Sequence, residues 1–407
     1  MYLRNSSALL RTLSSNGRLA TVRSTVLSRS YTATTGAQPE KASKSTEPKR
    51  LSLTRQPFPR FETGGLDVSG IVPMPEKLDD ALTKAKVSIS SDQLLKLAYD
   101  FVNASSAMDY QQKLEDWRQE VLRMFNNNLS QVTLTATMLI NSSIDKTMGF
   151  ALCKVAAEEG YANAAYYYAI VLGVRTFNVH MGRALGTSIL KELVSLGHPP
   201  SQMTLAEYHL RKISPENKRK AIELLQKAAV HMPAAAFKLA DAYRKNTPSD
   251  SDIAAAIKWY THAGKAGVVE AYFVLGNMYS RGEGTSDGNP DYKAAFDMFE
   301  IAAIRGNVES QYNMGHYYLE GKGVEKNAHL AAEYWGMAAA KRFPIALLNL
   351  GKLYAEGKEL PRNIRRGKEL LNIAIECSDS DGFIKSQAQT LLDRIKKQQQ
   401  DTRCVIM

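Results

Sequence analysis

The sequence predicts an all-α fold: a right-handed α-solenoid of about seven helical hairpins with an N-terminal helical cap. The main observation is a recurring twelve-residue phrase, with a small residue, a large apolar residue four positions later, usually Ala-Ala, and usually a final Gly. The phrase starts every 35 to 39 residues, a period typical of stacked helical hairpins. It occupies residues 149–160, 186–197, 221–232, 256–267, 295–306, 331–342 and 367–378.

A second recurring pattern shows that each period contains two helices. Leu350, Gly351 and Tyr354 stand at positions i, i+1 and i+4, and Leu275-Gly276-Tyr279 and Met314-Gly315-Tyr318 repeat that spacing. Such residues share a helical face, where the small residue lets a neighbouring helix approach closely. Glycines at 282, 284, 321, 323 and 357 follow this helix and are suited to the left-handed turn at its end.

The first segment, residues 1–31, has the composition of a mitochondrial presequence. It contains five arginines, seven serines and no acidic residue. Arg29 also stands three positions before a cut after Tyr31, as at a matrix-peptidase site. We therefore expect location in the mitochondrial matrix, with a disordered basic tail as the alternative.

Two segments separate the presequence from the repeats. Residues 32–75 are rich in Ser, Thr, Lys and Pro and predict a flexible linker followed by an irregular segment. Residues 76–148 show helical periodicity, with apolar stripes on 92–103 and 109–127. We expect these helices to cap the exposed end of the solenoid, which spans 149–397.

The repeats resemble a known family. Residues 271–306, 310–342 and 346–378 are similar to Sel1-like repeats, the longer-looped relatives of tetratricopeptide repeats, because spacing, glycines and the Ala-rich phrase coincide three times in succession. The resemblance covers about 150–395 and weakens towards residue 149. Sel1-like proteins are mostly adaptors and assembly factors, so the resemblance implies binding of a protein or peptide client.

The last residues point to a different location. Residues 387–397 predict a closing helix, and 398–407 a disordered tail. Cys404-Val405-Ile406-Met407 resembles a prenylation box and makes Cys404 a candidate for farnesylation, which takes place in the cytosol. We rank mitochondrial import first because it rests on many more residues.

Composition and motifs argue against catalysis. The chain has 407 residues and a formal charge of +11, which falls to +6 without the five arginines of 1–31. This excess suits peripheral contact with an anionic membrane, while nucleic-acid binding is not expected.

The three cysteines and seven histidines form no metal-ligand motif, and no nucleotide-binding or nucleophile motif is present. We expect no enzyme activity, catalytic residue, metal or cofactor.

Candidate binding residues follow from the resemblance. In tetratricopeptide relatives, the residue after the Leu-Gly pair and those three and four further on face the concave groove. Basic and amide side chains there can clamp a peptide, although a solvated helix face is the alternative reading. The matching positions are Glu207, Arg211, Asp241, Arg244, Lys245, Asn277, Arg281, His316, Glu320, Lys352 and Glu356.

Two function hypotheses remain open. The first is a matrix adaptor at the inner membrane, similar to fungal mitochondrial Sel1-repeat assembly factors, whose client is a respiratory-chain subunit, as in cytochrome oxidase biogenesis, or an insertase. The second is a cytosolic scaffold farnesylated at Cys404, similar to the fungal chitin synthase regulator. Nothing in the sequence identifies the client.

Overall fold

The computed structural model describes Val72 and residues 75–406, with gaps at 143–145, 176–178, 213, 246–248 and 379–381. The predicted presequence, 1–31, lies outside the described residues, as does the predicted linker, 32–75, apart from Val72 and Pro75. Every regular element within the described ranges is an α-helix. This confirms the predicted all-α class.

Contacts among the described residues divide the chain into two compact units, 72–235 and 236–406. The helices of the first unit are α1 Pro75–Ala85, α2 Ser91–Ser106, α3 Tyr110–Met124, α4 Leu129–Ser142, α5 Thr147–Glu158, α6 Ala162–Arg175, α7 Val179–Ser195, α8 Pro199–Leu210 and α9 Pro215–Ala229.

The second unit begins within α10 and contains the most regular hairpins. Its helices are α10 Pro233–Arg244, α11 Asp250–Lys265, α12 Val269–Ser280, α13 Tyr292–Ile304, α14 Val308–Glu320, α15 Ala328–Ala340, α16 Pro344–Glu356, α17 Ile364–Glu376 and α18 Gly382–Ile406. Each helix from α12 to α17 packs against the next in the sequence, as a stack of hairpins requires.

The seven recurring phrases fall on alternate helices, namely α5, α7, α9, α11, α13, α15 and α17. Their alanine pairs are core residues: Ala302 and Ala303 are fully buried in α13, and Ala338 and Ala339 are buried in α15. A methyl side chain at these positions lets adjacent helices approach closely. The phrase that identifies the repeat is therefore also its packing surface.

Asparagine and aspartate begin several of these helices. Asn307 Oδ1 accepts the Ser310 N–H at 2.7 Å, and Asp291 Oδ1 accepts the Ala294 N–H at 2.8 Å. Asn363 does the same for the Arg366 N–H at 2.9 Å. These bonds satisfy backbone donors that have no partner inside the helix, so the side chains set where α14, α13 and α17 begin.

The C-terminal end differs from the sequence expectation. The prediction places a closing helix at 387–397 and a disordered tail at 398–407, whereas α18 is continuous from Gly382 to Ile406. Buried Ile384, Ala388, Leu392 and Ile395 anchor the first part of α18 in the core of the second unit. Once those turns are fixed, each further helical residue adds a hydrogen bond without a new nucleation cost, so the helix can continue beyond Ile395.

Candidate client-binding surface

The candidate residues in the second unit lie on the first helices of successive hairpins. Asp241, Asn277, His316 and Lys352, which we call the first-helix row, each follow the small residue of the recurring Leu-Gly or related pair. Asp241 and Lys352 are exposed, and Asn277 and His316 are half-buried. The row therefore offers a carboxylate, an amide, an imidazole and an ammonium group from four consecutive hairpins.

Close packing behind the row fixes its position. A Cβ atom added to Gly315 would lie 2.2 Å from Nε1 of Trp335, and one added to Gly276 would lie 2.6 Å from the Phe299 ring. Glycine therefore lets the aromatic side chain of the second helix pack directly on the backbone of the first. His316, which follows Gly315, borders this contact, with its ring centroid 5.3 Å from that of Trp335.

Arg244 and Arg281 are joined through a single acidic residue, Glu283. Arg244 Nε lies 3.1 Å from Glu283 Oε2, and Arg281 Nη1 lies 3.5 Å from Glu283 Oε1. Arg244 is largely enclosed, whereas the Arg281 side chain is 63% exposed. The structure therefore places both arginines together, but it holds Arg244 in a structural ion pair and leaves Arg281 as the accessible cation of the pair.

Asp241 is held against the buried ring of Tyr260, whose hydroxyl donates a hydrogen bond to Asp241 Oδ1. Partial burial of the carboxyl group raises the pKa of Asp241, although the residue as a whole is exposed. Burial and the neighbouring Asp241 also raise the pKa of Tyr260. Asp241 thus has a packing role in addition to its place in the first-helix row.

His316 lies in a cluster that links two hairpins. Tyr312 Oη lies 2.7 Å from His316 Nε2, and Asn349 Nδ2 of α16 lies 3.3 Å from Tyr312 Oη. Burial lowers the pKa of His316, which favours the neutral ring. A neutral Nε2 can accept a hydrogen bond from the Tyr312 hydroxyl group. The Asn349 amide nitrogen can in turn donate a hydrogen bond to Tyr312 Oη. The first helices α14 and α16 therefore share one polar surface.

The remaining candidates of the second unit are surface charges. Glu320 pairs with Lys322 at 2.5 Å, and Glu356 lies 4.0 Å from Lys352 and 3.5 Å from Lys358. Exposed pairs of this kind contribute little to stability and exchange readily with an incoming ligand. Lys245, directly after α10, is also exposed.

The two candidates in the first unit lie at the end of α8. Glu207 is half-buried, and Arg211 is exposed directly after the helix. Tyr208, next to Glu207 and outside the predicted set, is half exposed beneath the ammonium group of Lys212 at 4.5 Å. This pair presents an aromatic and cationic surface beside Glu207.

Sequence reasoning missed three residues that shape the surface of the second unit: Glu283, Tyr312 and Asn349. Glu283 stands between two loop glycines, where the sequence pattern indicates only a turn. Asn349 comes directly before the Leu350-Gly351 pair, three positions ahead of Lys352, the first register position of that hairpin. Extending the register by one helical turn towards the N-terminus includes Asn349.

In the described ranges, no three or more His, Cys, Asp or Glu side chains come together in a group that could hold a metal ion. Cys153 is fully buried, and burial raises its pKa to about 12, so it is an unreactive thiol. Cys377 is half-buried. The side chain of Cys404 lies outside the described part of the structure.

Among the described helices, none combines the length and apolarity needed to cross a bilayer.

Five segments of the chain match a known repeat family. The Sel1 repeat model matches residues 199–229, 233–268, 269–307, 308–342 and 344–379. A Sel1 repeat protein from Oxalobacter formigenes has a similar crystal structure, with a TM-score of 0.51 and 21% identity over 78% of this chain and 89% of that chain. This likeness confirms the α-solenoid fold.

A protective antigen of uropathogenic Escherichia coli with an SLR fold is also similar, with a TM-score of 0.48 and 20% identity over 72% of this chain and 65% of that chain. Among curated proteins, no sequence matches. The five matched repeats correspond to the hairpins α8–α9 through α16–α17.

Proposed function

Because residues 199–379 form five Sel1 repeats, we propose that the chain is a non-catalytic adaptor that binds a protein or peptide client through the first-helix row. Sel1 repeats generally serve as scaffolds for protein–protein interaction, and the matched family is not an enzyme family. The observation that supports the site is the link from His316 and Tyr312 to Asn349, which makes α14 and α16 one polar surface.

The chemistry of that surface suits an extended peptide. Asn277 and His316 are half-buried groups that can exchange hydrogen bonds with a peptide backbone, while Arg281 and Lys352 can bind acidic side chains. Their spacing along consecutive hairpins provides repeated contacts to a chain laid across the first helices.

Site-specific photo-crosslinking tests the assignment. A photoreactive amino acid at Asn277 or Lys352 is expected to crosslink to the client in cells, whereas the same group at Arg365, an exposed residue on the second helix α17, is expected to give no such product. Equal crosslinking at all three positions, or crosslinking only at Arg365, would show that the client binds elsewhere.

We further propose that the adaptor acts in the mitochondrial matrix at the inner membrane, where its client is a respiratory-chain subunit, as in cytochrome oxidase biogenesis, or an insertase. The proposal rests on the arginine-rich, acid-free composition of 1–31, on the modest positive charge of the remainder, and on resemblance to mitochondrial Sel1-repeat factors. The second candidate, a cytosolic scaffold farnesylated at Cys404, rests on the likeness of 404–407 to a prenylation box.

One measurement separates these two locations. Protein from isolated mitochondria is expected to begin at Thr32, with an unmodified Cys404, when analysed by N-terminal sequencing and intact mass. Recovery of the protein with an intact Met1 and a farnesylated Cys404 would support the cytosolic scaffold instead.

A further inference from the structure

A cluster of aromatic rings and carboxylates lies where α13, α14 and α15 meet. We call it the tyrosine–carboxylate cluster and define it as Glu300, Tyr318, Glu333 and Tyr334. Tyr318 follows His316 of the first-helix row by two positions on α14, which places the two side chains on nearly opposite sides of that helix. The cluster therefore belongs to a different surface from the proposed client site.

The two tyrosine rings form an ordered platform. Tyr318 and Tyr334 are stacked, with centroids 5.6 Å apart and planes inclined by 17°. Phe296 of α13 supports Tyr318 from the side, with an edge-on contact at 5.5 Å. Both tyrosines are half-buried rather than enclosed in the core.

Carboxylates flank this platform without a matching cation. Burial raises the pKa of Glu300. Burial also raises the pKa of Tyr318 and Tyr334, and the charge of Glu300 adds to that rise. The nearby Lys293 already pairs with Asp297 at 2.6 Å. Within the described ranges, Glu300 and Glu333 have no salt-bridge partner. Glu300 and Glu333 thus place negative charge beside the rings, and Lys293 is a cation that acts on Glu300.

Repeat packing does not account for these residues. Thr261 and Gly336 occupy the position of Glu300 in the recurring phrases before and after it. A half-buried carboxylate is costly to keep where packing requires only a small residue. Two large apolar side chains are also exposed nearby in the sequence: Ile304, one turn after Glu300, is 50% exposed, and Met337, three positions after Tyr334, is 39% exposed.

We propose that the tyrosine–carboxylate cluster docks a peptide segment that carries an arginine or lysine beside a large apolar side chain. The cation lies over the tyrosine rings, where the ring faces and the flanking carboxylates both attract positive charge. Its apolar neighbour covers Ile304 or Met337. This docking site is separate from the first-helix row and goes beyond the proposed function.

Fluorescence anisotropy with the full chain tests the proposal. The probe is a short labelled peptide with a single arginine between two leucines, and its matched control replaces arginine with citrulline, which has the same shape but no charge. Glu300→Gln is expected to weaken binding of the arginine peptide about tenfold, the effect of losing a charge-assisted contact. Glu309→Gln, which removes an exposed carboxylate at the start of α14, is expected to leave binding unchanged.

Two further variants distinguish the contribution of the rings from that of folding. Tyr334→Phe keeps the ring face and is expected to retain binding, whereas Tyr334→Leu removes it and is expected to weaken binding, with unchanged helicity as the control for folding. Equal binding of the arginine and citrulline peptides, or unchanged affinity in Glu300→Gln, would overturn the proposal. Self-association of the full chain that Glu300→Gln abolishes would also overturn it, because the occupant would then be a second copy of the chain.

Discussion

The contact between Gly315 and Trp335 provides a test of how the repeats pack. A Cβ atom on residue 315 would lie 2.2 Å from Trp335 Nε1 and 2.3 Å from Cδ1, far inside the ordinary contact distance. Trp335 is 2% exposed and donates a hydrogen bond from Nε1 to the Tyr312 carbonyl oxygen at 3.0 Å. The ring is therefore held on both sides, and Gly315→Ala requires either the ring or helix α14 to move.

The expected magnitude follows from three contributions. Overpacking costs about 1 to 3 kcal/mol, and loss of the indole hydrogen bond costs about 0.5 to 1.5 kcal/mol. Replacing glycine with alanine inside a helix gains about 0.5 to 1 kcal/mol in helix propensity. We therefore expect Gly315→Ala to lower the free energy of unfolding by about 1 to 3 kcal/mol.

Gly336 provides the matched control, because it lies inside α15 and a Cβ atom added there would meet no other atom within 4 Å. Gly336→Ala is expected to raise the free energy of unfolding by about 0.5 to 1 kcal/mol, since only the propensity gain remains. Urea denaturation monitored by circular dichroism measures both changes. A Gly315→Ala protein as stable as Gly336→Ala would show that the first and second helices are not in direct contact here.

Three other predictions concern packing, charge and pH. Ala303→Leu is expected to cost about 1 to 3 kcal/mol of unfolding free energy in urea denaturation, because Ala303 is fully buried between helices, and a change below about 0.5 kcal/mol would place it at the surface. Arg281→Glu is expected to change the melting temperature little, because Arg281 is exposed. Arg244→Glu is expected to lower the melting temperature, because it places a carboxylate against Glu283 at a largely enclosed position. Equal effects of the two variants on the melting temperature would contradict the ion-pair geometry. Since burial lowers the pKa of His316 in the folded chain, its stabilising contribution is present above the unfolded pKa of about 6.5 and is lost as the pH falls from there towards the folded pKa. Thermal denaturation between about pH 7.5 and 5 should therefore show a shallower loss of stability in His316→Gln, and an identical slope would exclude this contribution.

Much of the fold could be predicted from the spacing of small and large residues. The alanine pairs at 302–303 and 338–339 are buried as their recurrence indicates, and Gly315 and Gly276 are the contact points that the Leu-Gly pattern predicts. These features follow from local rules, because each hairpin repeats one packing solution and contacts mainly its neighbours. The end of α18 could not be predicted in this way, since the helical apolar periodicity read from the sequence ends at Ile395, whereas α18 continues to Ile406.

The candidate surface depended more strongly on the folded structure. The sequence could place Arg244 and Arg281 at the ends of the first helices of successive hairpins, three residues after Asp241 and four after Asn277, but only the structure shows that Glu283 holds both. It likewise brings Tyr312 and Asn349, which are 37 residues apart, within hydrogen-bond distance. Contacts of this kind depend on how consecutive hairpins stack. The distance between the helices and the length of the side chains decide whether two residues can meet.

By itself, the sequence determined the all-α class, the two-helix repeat and the residues that pack its helices, because these depend on periodicity along the chain. Only the tertiary structure decided which charges remain available on the surface, because ion pairing depends on neighbours that are distant in sequence. Arg281 and Glu300 illustrate this difference: their residue types alone do not show that one side chain is exposed and the other half-buried beside two tyrosine rings.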